Sequence, residues 1–251
     1  MEERLNKLLS AMGVCSRREA DRLIEAGKVL VDNRPASMGQ KVTPGQKVVC
    51  NGKMVRVDRS QRPRPVLLAV NKPKGIVCTT TDKDRAENIV DFLGYPERIY
   101  PVGRLDKDSE GLLLMTNQGD LVNKIMRSGN AHEKEYIVTI DKPVTERFLE
   151  QMAGGIRLPE LDQVTRPCKV KKVERNTFSI ILTQGLNRQI RRMCEACGCQ
   201  VKRLVRVRIM NIRLGNLRTG AYRQITKEEY EELTGLLKDS SSLSLKERKN
   251  Q

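Results

Sequence analysis

The chain has 251 residues, a length that can bury one or two hydrophobic cores. It carries 47 Lys and Arg against 31 Asp and Glu, a net charge of +16 that favours a polyanionic partner, nucleic acid ahead of a membrane surface. There is no bilayer-spanning apolar run and no signal-peptide pattern, and seven scattered cysteines are typical of a reducing compartment, so we expect a cytoplasmic protein with no membrane partner.

Residues 1–60 have the pattern of two helices followed by short strands. The first helix carries apolar residues at helical spacing and stops at Gly13: Leu5, Leu8, Leu9 and Met12. Ser16 and Glu19 form a capping box at the start of the second helix. The runs KVLV and KVVC then predict a small sheet.

Basic residues dominate this first segment. Residues 1–64 hold 14 basic and 7 acidic side chains, and Arg17, Arg18 and Arg22 lie around the start and outer face of the second helix. Such a helix start is suited to phosphate, although solvated helix arginines fit the pattern equally well. The run RLNKLL…G…SRREADRLIEAGKVLVD resembles the S4 RNA-binding domain. The resemblance implies an S4-like RNA-binding domain over residues 1–60.

The segment QRPRP, residues 61–65, is Pro-rich and basic, and we interpret it as a linker. From residue 66 to about 237, helical stretches near 118–127, 144–153, 187–197 and 227–237 alternate irregularly with strand-like runs: VLLAV, GIVCTT, LLLMT, KEYIVTI, CKVKKV, TFSIILTQ and VKRLVRVRIM. This order predicts an α+β fold with a mainly antiparallel sheet flanked by helices. Thr226 and Glu229 predict a capping box at the start of the last helix. The polar residues 238–251 predict a disordered tail.

A polar turn, GRLDKDSEG, places Asp106 between Arg104 and Lys107 directly before the apolar run LLLM. Neighbouring cations favour the ionised form of a carboxylate, and a turn beside a rigid strand suits a functional residue. Asp108 and Glu110 also allow a two-carboxylate glycosidase site. From the residues alone, an ordinary polar turn before a buried strand is the favoured interpretation.

The segment QGLNRQIRRMCEACGC, residues 184–199, predicts a helix capped by Asn187 with three arginines in its first turns: Arg188, Arg191 and Arg192. Cations are unfavourable at a helix N-terminus, so we expect an anion to compensate them, either a carboxylate of the fold or a phosphate. Residues 185–223 contain 10 basic residues and one acid, which predicts a nucleic-acid surface.

Metal binding is not expected. The cysteines Cys194, Cys197 and Cys199 lack the further ligands of a zinc site, and Cys194 and Cys197 fit the apolar face of the helix. The single histidine, His132, is expected at the surface.

Four motifs occur in the order found in pseudouridine synthases: N-K-P-x-G from Asn71, G-R-L-D from Gly103, K-E-Y-x-V from Lys134, and G-L-N-R-Q-I-R-R-M from Gly185. With the S4-like segment ahead of them, the chain resembles the RsuA-type branch of that family, which modifies ribosomal RNA. The resemblance covers residues 4 to 237. The segments LNRQIRRMCE and HEKEY are most similar to those of pseudouridine synthases that act on the large ribosomal subunit.

The resemblance implies specific roles at matching positions. Asp106 is the catalytic aspartate, and Arg104 occupies the space left by the displaced nucleotide. Tyr136 is a second catalytic residue, expected to stack on the target base and to take part in proton transfer. Arg191, the third, pairs with Asp106. Arg188 has no role assigned by the motif, because G-L-N-R departs from its general form; with Arg192 it is expected to contact RNA.

The implied function is isomerisation of a uridine to pseudouridine in 23S rRNA, with base flipping and no cofactor. A 16S rRNA or tRNA substrate is an alternative, as is a non-catalytic RNA-binding or ribosome-assembly protein. An RNA methyltransferase is disfavoured, since the glycine-rich loop expected for a nucleoside cofactor is missing. We expect a monomer whose partner is ribosomal RNA.

Overall fold

The structure, a computed structural model, describes residues 2–57, 63–79 and 86–240. The chain forms two compact units: Met1–Pro65 with Pro96–Arg98 and Asn117–Gly119, and Val66–Tyr95 with Ile99–Thr116 and Asp120–Gln251. Residues 61 and 62 of the expected linker and residues 241–251 of the expected tail lie outside the described residues. The domain boundaries given above stay a prediction.

The first unit contains helices α1 (Leu5–Ala11) and α2 (Arg17–Glu25). Its strands are β1 (Glu3–Arg4), β2 (Val29–Val31), β3 (Arg34–Pro35), β4 (Lys41–Val42), β5 (Lys47–Cys50) and β6 (Lys53–Arg56). An antiparallel sheet has the order β3-β2-β5-β6, and β1 pairs with β4. One core joins helices and sheet, because the apolar positions of both face it: Leu5, Leu8, Leu9, Ala20, Ile24, Val29, Val31 and Val48 are buried.

The start of α2 agrees only in part with the capping box expected there. The Ser16 hydroxyl accepts a hydrogen bond from the Glu19 amide at 3.1 Å. The Glu19 carboxylate forms an ion pair with Arg22 at 3.2 Å. Ser16 is therefore the N-cap, and Glu19 contributes a pair across one helical turn.

The second unit contains the helices α3 (Ile89–Leu93), α4 (Gly119–Met126), α5 (Glu146–Gly154), α6 (Gln189–Ala196) and α7 (Lys227–Leu236). Its strands are β7 (Leu67–Lys72), β8 (Tyr100–Val102), β9 (Glu110–Thr116), β10 (Lys134–Ile140), β11 (Arg157–Leu158), β12 (Gln163–Val164), β13 (Lys169–Glu174), β14 (Thr177–Leu182), β15 (Val201–Ile209), β16 (Ile212–Arg213) and β17 (Tyr222–Gln224). Single turns of 3-10 helix lie at Ser128–Asn130 and Pro159–Leu161.

A nine-stranded sheet organises this unit in the order β13-β14-β10-β15-β9-β7-β17, with β16 beside β15 and β8 beside β9. Among its described pairings, β15 with β9 is parallel and the others are antiparallel. The predicted α+β class with a mainly antiparallel sheet is confirmed. No helix of the described segments combines the length and apolar composition needed to cross a membrane.

The apolar run LLLM is explained by the position of β9 inside the sheet. Leu112 and Leu114 face one core, and Leu113 and Met115 face another. Because alternate side chains of a strand point to opposite faces, a strand covered on both faces is apolar throughout. Asp106 therefore precedes a strand that is fixed on both sides.

Some local predictions were wrong. The described residues of GIVCTT form an isolated β-bridge between Val77 and Asn88 rather than a strand. Helix α3 was not predicted, because its five residues are too few for a periodic pattern. The expected capping box at Thr226 and Glu229 is confirmed. His132 is half-buried, and its ring Nε2 lies 2.8 Å from the Ser240 hydroxyl, rather than standing free at the surface.

Candidate active site

A cavity of about 420 Å³ opens beside Asp106 in the second unit. Its walls come from the β8–β9 loop, β10, β15 and the start of α6. The polar lining residues include Arg104, Asp106, Ser109, Lys134, Tyr136, Gln184, Asn187, Arg188, Gln189, Arg191 and Arg206. Asp106 is the single acidic residue among the described lining residues, whereas five of them are Lys or Arg. The pocket is therefore suited to an anionic or polar guest near one carboxylate.

The loop that carries Asp106 is fixed by hydrogen bonds from several directions. The Ser109 amide donates to the Asp106 carbonyl at 3.0 Å, and the Gly75 amide donates to the Lys107 carbonyl at 2.9 Å. The Leu105 amide donates to the buried Cys78 sulfur at 3.4 Å. The main chain on each side of Asp106 is thus held while its side chain, 39% exposed, stays open to the pocket.

Two glycines allow this loop to approach its neighbours. Gly103 has a φ of +77°, and a Cβ there would overlap the side chain of Met126. Gly111 has a φ of +103°, and a Cβ there would overlap the main chain of Arg206. A side chain at either position would be strained by both the backbone conformation and the close contact. Sterics therefore explain why the G-R-L-D motif begins with glycine.

Arg188 supplies the cation beside Asp106. Its Nη1 lies 3.8 Å from Oδ2 of Asp106 and 3.8 Å from Oδ2 of Asp108. Arg188 is also the N-cap of α6, with a φ of +50° in the left-handed region and no side-chain cap. The expectation that Asn187 caps this helix is wrong. The chain turns sharply at Arg188 instead, and the Gln189 side chain accepts from the Leu186 amide at 3.1 Å.

Arg191 holds the loop rather than the carboxylate. Its Nη2 donates to the Asp108 carbonyl at 3.2 Å and lies 3.5 Å from the Ser109 hydroxyl. Its Nη1 donates to the Val201 carbonyl at 3.4 Å. The expected pairing with Asp106 is therefore corrected: in this structure Arg191 clamps the residues after Asp106, and Arg188 is the ion-pair partner.

The other predicted residues divide between the two units. In the second unit, Arg104 is exposed at the pocket, and Tyr136 projects from β10 into it. Arg192 lies outside the lining and pairs with Glu160 at 3.1 Å. The compensating anion expected at this helix start is thus a carboxylate of the fold for both Arg188 and Arg192. In the first unit, α2 presents three exposed arginines: Arg17, Arg18 and Arg22.

The other two carboxylates of the turn have different surroundings. Glu110 pairs with Arg203, and Asp108 shares Arg188 with Asp106. Neither is among the described lining residues of the pocket. The arrangement does not place two carboxylates on opposite walls of one cavity, as the glycosidase interpretation needs.

Sequence reasoning missed two buried cations of the pocket, Lys134 and Arg206. Burial, and then the nearby Arg206, lower the pKa of Lys134 from its usual 10.5 to about 8. The strand pattern does indicate both residues. Lys134 lies an even number of positions before the buried Val138 and Ile140, and Arg206 lies two positions after the buried Leu204, so each shares the inward face of its strand.

The cysteines of residues 194–199 are free thiols. Cys194 and Cys199 are buried and Cys197 is half-buried, and burial raises the pKa of the Cys194 thiol strongly. Within the described ranges, His, Cys, Asp and Glu form no cluster of three or more that could hold a metal ion.

Comparison with known proteins identifies the family of the chain. Residues 66–196 match the model of RNA pseudouridylate synthases, and residues 3–48 match the S4 domain. The chain is 52% identical over 239 residues to the dual-specificity RNA pseudouridine synthase RluF of Escherichia coli K12, covering 95% of this chain and 81% of that protein. It is 36% identical over 242 residues to the ribosomal large subunit pseudouridine synthase B of Bacillus subtilis, covering 93% and 96%.

A crystal structure of a pseudouridylate synthase superimposes with a TM-score of 0.67 at 27% identity, covering 92% of this chain and 99% of the other. The matches span both units and include the Asp106 loop and the α6 segment. The chain is therefore a member of the RNA pseudouridine synthases, an isomerase of the RsuA-type branch that carries an S4 domain ahead of its catalytic domain.

Proposed function

We propose that this protein converts a uridine of 23S rRNA to pseudouridine, with Asp106 as its single catalytic carboxylate. The observation that carries the proposal is that Asp106 is the one acidic group among the described pocket-lining residues, on a loop fixed on both sides, with Tyr136 in the same cavity. The reaction adds no atom and changes no oxidation state, so it requires no cofactor.

Asp106 acts at the sugar. Its carboxylate either attacks C1′ or removes a proton from C2′ while the N1–C1′ bond breaks. The base then turns and C5 bonds to C1′, while the Asp106–C1′ bond breaks or C2′ regains its proton. The hydrogen on C5 leaves as a proton, and N1 takes up a proton. Arg188 orients the carboxylate, and Arg191 fixes the loop through the Asp108 carbonyl.

The target nucleotide has to leave its stack to reach the pocket. Tyr136 lines the cavity from β10 and offers a ring for the flipped base. Arg104, exposed beside Asp106, fills the space that the nucleotide leaves. Binding energy for this step comes from the basic surface around α6 and from Arg17, Arg18 and Arg22 of the first unit.

A substrate in the large subunit is supported by the name of the Bacillus subtilis relative. The dual-specificity name of the Escherichia coli relative favours a second RNA, for which a tRNA is our candidate. Mapping pseudouridine in cells that lack the protein tests this assignment. We expect one site lost from 23S rRNA, and a loss confined to 16S rRNA would contradict it.

The catalytic assignment is tested by Asp106→Asn, which keeps the size of the side chain and removes its charge. Single-turnover release of tritium from 5-tritiated uridine in RNA should fall by about three orders of magnitude or more. RNA binding, measured by filter retention, should persist because it depends on many basic contacts. Normal turnover in this variant would remove the assignment.

Asp108→Asn and Glu110→Gln are the matched controls, because both carboxylates belong to the same turn. The single-carboxylate mechanism expects both variants to remain active. An inactive but folded Asp108→Asn would favour a paired-carboxylate site. Wild-type protein that binds RNA without releasing tritium would favour the non-catalytic alternative.

A further inference from the structure

The inner wall of the pocket contains two cations without an acidic partner. Lys134 is 5% exposed and Arg206 is 1% exposed. Lys134 Nζ donates to the His132 carbonyl at 3.2 Å. Arg206 Nε donates to the Leu112 carbonyl at 2.7 Å, and its Nη1 donates to the Arg104 carbonyl at 3.4 Å. These partners are neutral.

An ionised group buried without a counter-ion is unfavourable, because the protein interior solvates its charge poorly. In the described parts of the chain, neither cation forms an ion pair with a carboxylate, and Arg206 Nη2 is buried without an acceptor. The two cations also disfavour each other, since Arg206 contributes to the lowered pKa of Lys134. A guest carrying negative charge would relieve both.

The strand register places these cations around Tyr136. Arg206 of β15 is the residue directly opposite Tyr136 of β10. Lys134 lies two residues before Tyr136 on the same strand, so the two side chains project from the same face of the sheet. All three residues line the cavity together with Asp106, whose side chain is more exposed than the two cations. A ring stacked on Tyr136 would lie near Lys134 of the same strand and near Arg206 of the neighbouring strand.

We infer that Lys134 and Arg206 stabilise the uracil ring as an anion while it is detached from the sugar. The inference rests on the proposed function and adds the fate of the charge on the base. When the N1–C1′ bond breaks, its electron pair stays on N1 and is delocalised onto O2 and O4. The electron-poor C1′ is captured by Asp106, or C2′ loses a proton.

The same two cations serve the base before and after it turns. The charge is spread over the ring, so stabilisation does not require N1 to remain at one position. C5 then supplies the electron pair for the new bond to C1′ while the Asp106–C1′ bond breaks, or while C2′ takes its proton back from Asp106. The C5 proton leaves, and N1 takes up a proton. Buried, preoriented cations act more strongly on developing charge than cations in water do.

A phosphate of the target nucleotide is the competing occupant. The lining of the cavity favours the ring, because much of it is apolar: Leu105, Leu182, Leu186, Ile190 and Leu204. A phosphate needs several polar contacts, whereas a pyrimidine offers an apolar face to Tyr136 and carbonyl oxygens to the cations. We therefore assign the site to the base.

The test compares two RNAs that differ at the target position, one with uridine and one with 5-fluorouridine. Fluorine withdraws electrons and stabilises the pyrimidine anion, so its departure needs less help from the protein. The measured quantity is the rate at which the N-linked target nucleoside disappears in a single turnover with saturating full-length enzyme. Nuclease digestion and mass spectrometry detect the remaining nucleoside. This readout reports bond breaking in both RNAs, although C5 of the fluorinated base cannot lose a proton.

We expect Lys134→Met to lower the rate on uridine RNA about 100-fold, and the deficit on 5-fluorouridine RNA to be at least fivefold smaller. Arg206→Lys keeps the charge, so its deficit should be equal on the two RNAs. Lys172→Met, an exposed lysine of β13 outside the pocket, should match wild type.

Equal deficits of Lys134→Met on the two RNAs would overturn the inference, since a structural role is indifferent to the leaving group. Weaker RNA binding with an unchanged rate at saturation would also overturn it, in favour of a phosphate contact. Both results would leave the proposed function standing. Wild-type enzyme that forms no pseudouridine would remove the proposed function and this inference together.

Discussion

Arg188→Gly separates a catalytic role of this arginine from a structural one. Arg188 has a φ of +50°, and an L-residue in the left-handed region is destabilised by roughly 1–2 kcal/mol. Glycine removes that strain but loses roughly 0.5–1 kcal/mol through the entropy of the unfolded chain. The two ion pairs at 3.8 Å are exposed, and such pairs contribute about 0–1 kcal/mol.

These contributions nearly cancel, so the free energy of unfolding should change by no more than about 1 kcal/mol. For a unit of this size that corresponds to a shift in Tm of about 2–4 °C or less, measured by thermal unfolding of the full chain. The single-turnover rate should fall about 10- to 100-fold, because the Asp106 carboxylate loses its orienting guanidinium. Saturating enzyme removes any effect of weaker RNA binding.

Asp162→Gly is the matched control, because Asp162 has a φ of +47° and lies outside the pocket. It should change stability similarly and leave the rate unchanged. Arg188→Lys should be intermediate, since one ammonium cannot reproduce the planar fork. A full rate in Arg188→Gly would refute the role at Asp106. A loss of more than about 2 kcal/mol of stability would show that the arginine supports the fold instead.

Between pH 8 and 10.5 the folded chain binds fewer protons at Lys134 than the unfolded chain, so the free energy of unfolding should rise with pH in this range. Denaturant titrations should show that this rise is smaller in Lys134→Met and unchanged in Lys172→Met. Replacing Arg17 and Arg18 by alanine should reduce the slope of log affinity against log salt by about 1–2, and an unchanged slope would exclude phosphate contacts by α2. Tyr136→Phe should keep most of the single-turnover rate and Tyr136→Ala should lose it, whereas equal losses would argue against stacking.

Much of the fold could be predicted because its signals are local. The capping box of α7 depends on Thr226 and Glu229, three residues apart, and the structure has it as the sequence predicts. The apolar run of β9 identifies a strand buried on both faces, whatever its partners are. The short helix α3 carries no such periodic signal, and the order of the strands depends on pairings between distant segments.

The buried cations could not be placed from the sequence with the same ease. In VKRLVRVRI, four basic residues occur in one strand, and their charge predicts exposure for all of them. Arg206 is nevertheless buried, because β15 lies between β10 and β9 and its guanidinium finds main-chain carbonyls on β9 and on the Asp106 loop. Burial of a charged residue is set by such tertiary partners, which a local pattern does not contain.

The arginine beside Asp106 was misassigned for a related reason. Arg188 and Arg191 are three residues apart, and in a continuous helix they would share a face. The helix begins at Gln189, however, and Arg188 adopts a left-handed conformation before it. The two side chains therefore take separate directions, one to the Asp106 carboxylate and the other to the Asp108 carbonyl.

The charges of the pocket are arranged along the bond that the proposed reaction breaks. The Asp106 carboxylate is 39% exposed, whereas Lys134 and Arg206 are almost fully buried beside Tyr136. A nucleotide with its sugar at Asp106 and its base on Tyr136 has negative charge next to C1′ and positive charge next to the ring. That field favours electron flow from C1′ to the base, which is the direction of cleavage. Asp106 and the two cations would then stabilise opposite ends of one transition state. Alanine in place of Asp106 or of either cation should therefore slow the same chemical step, cleavage of the N1–C1′ bond.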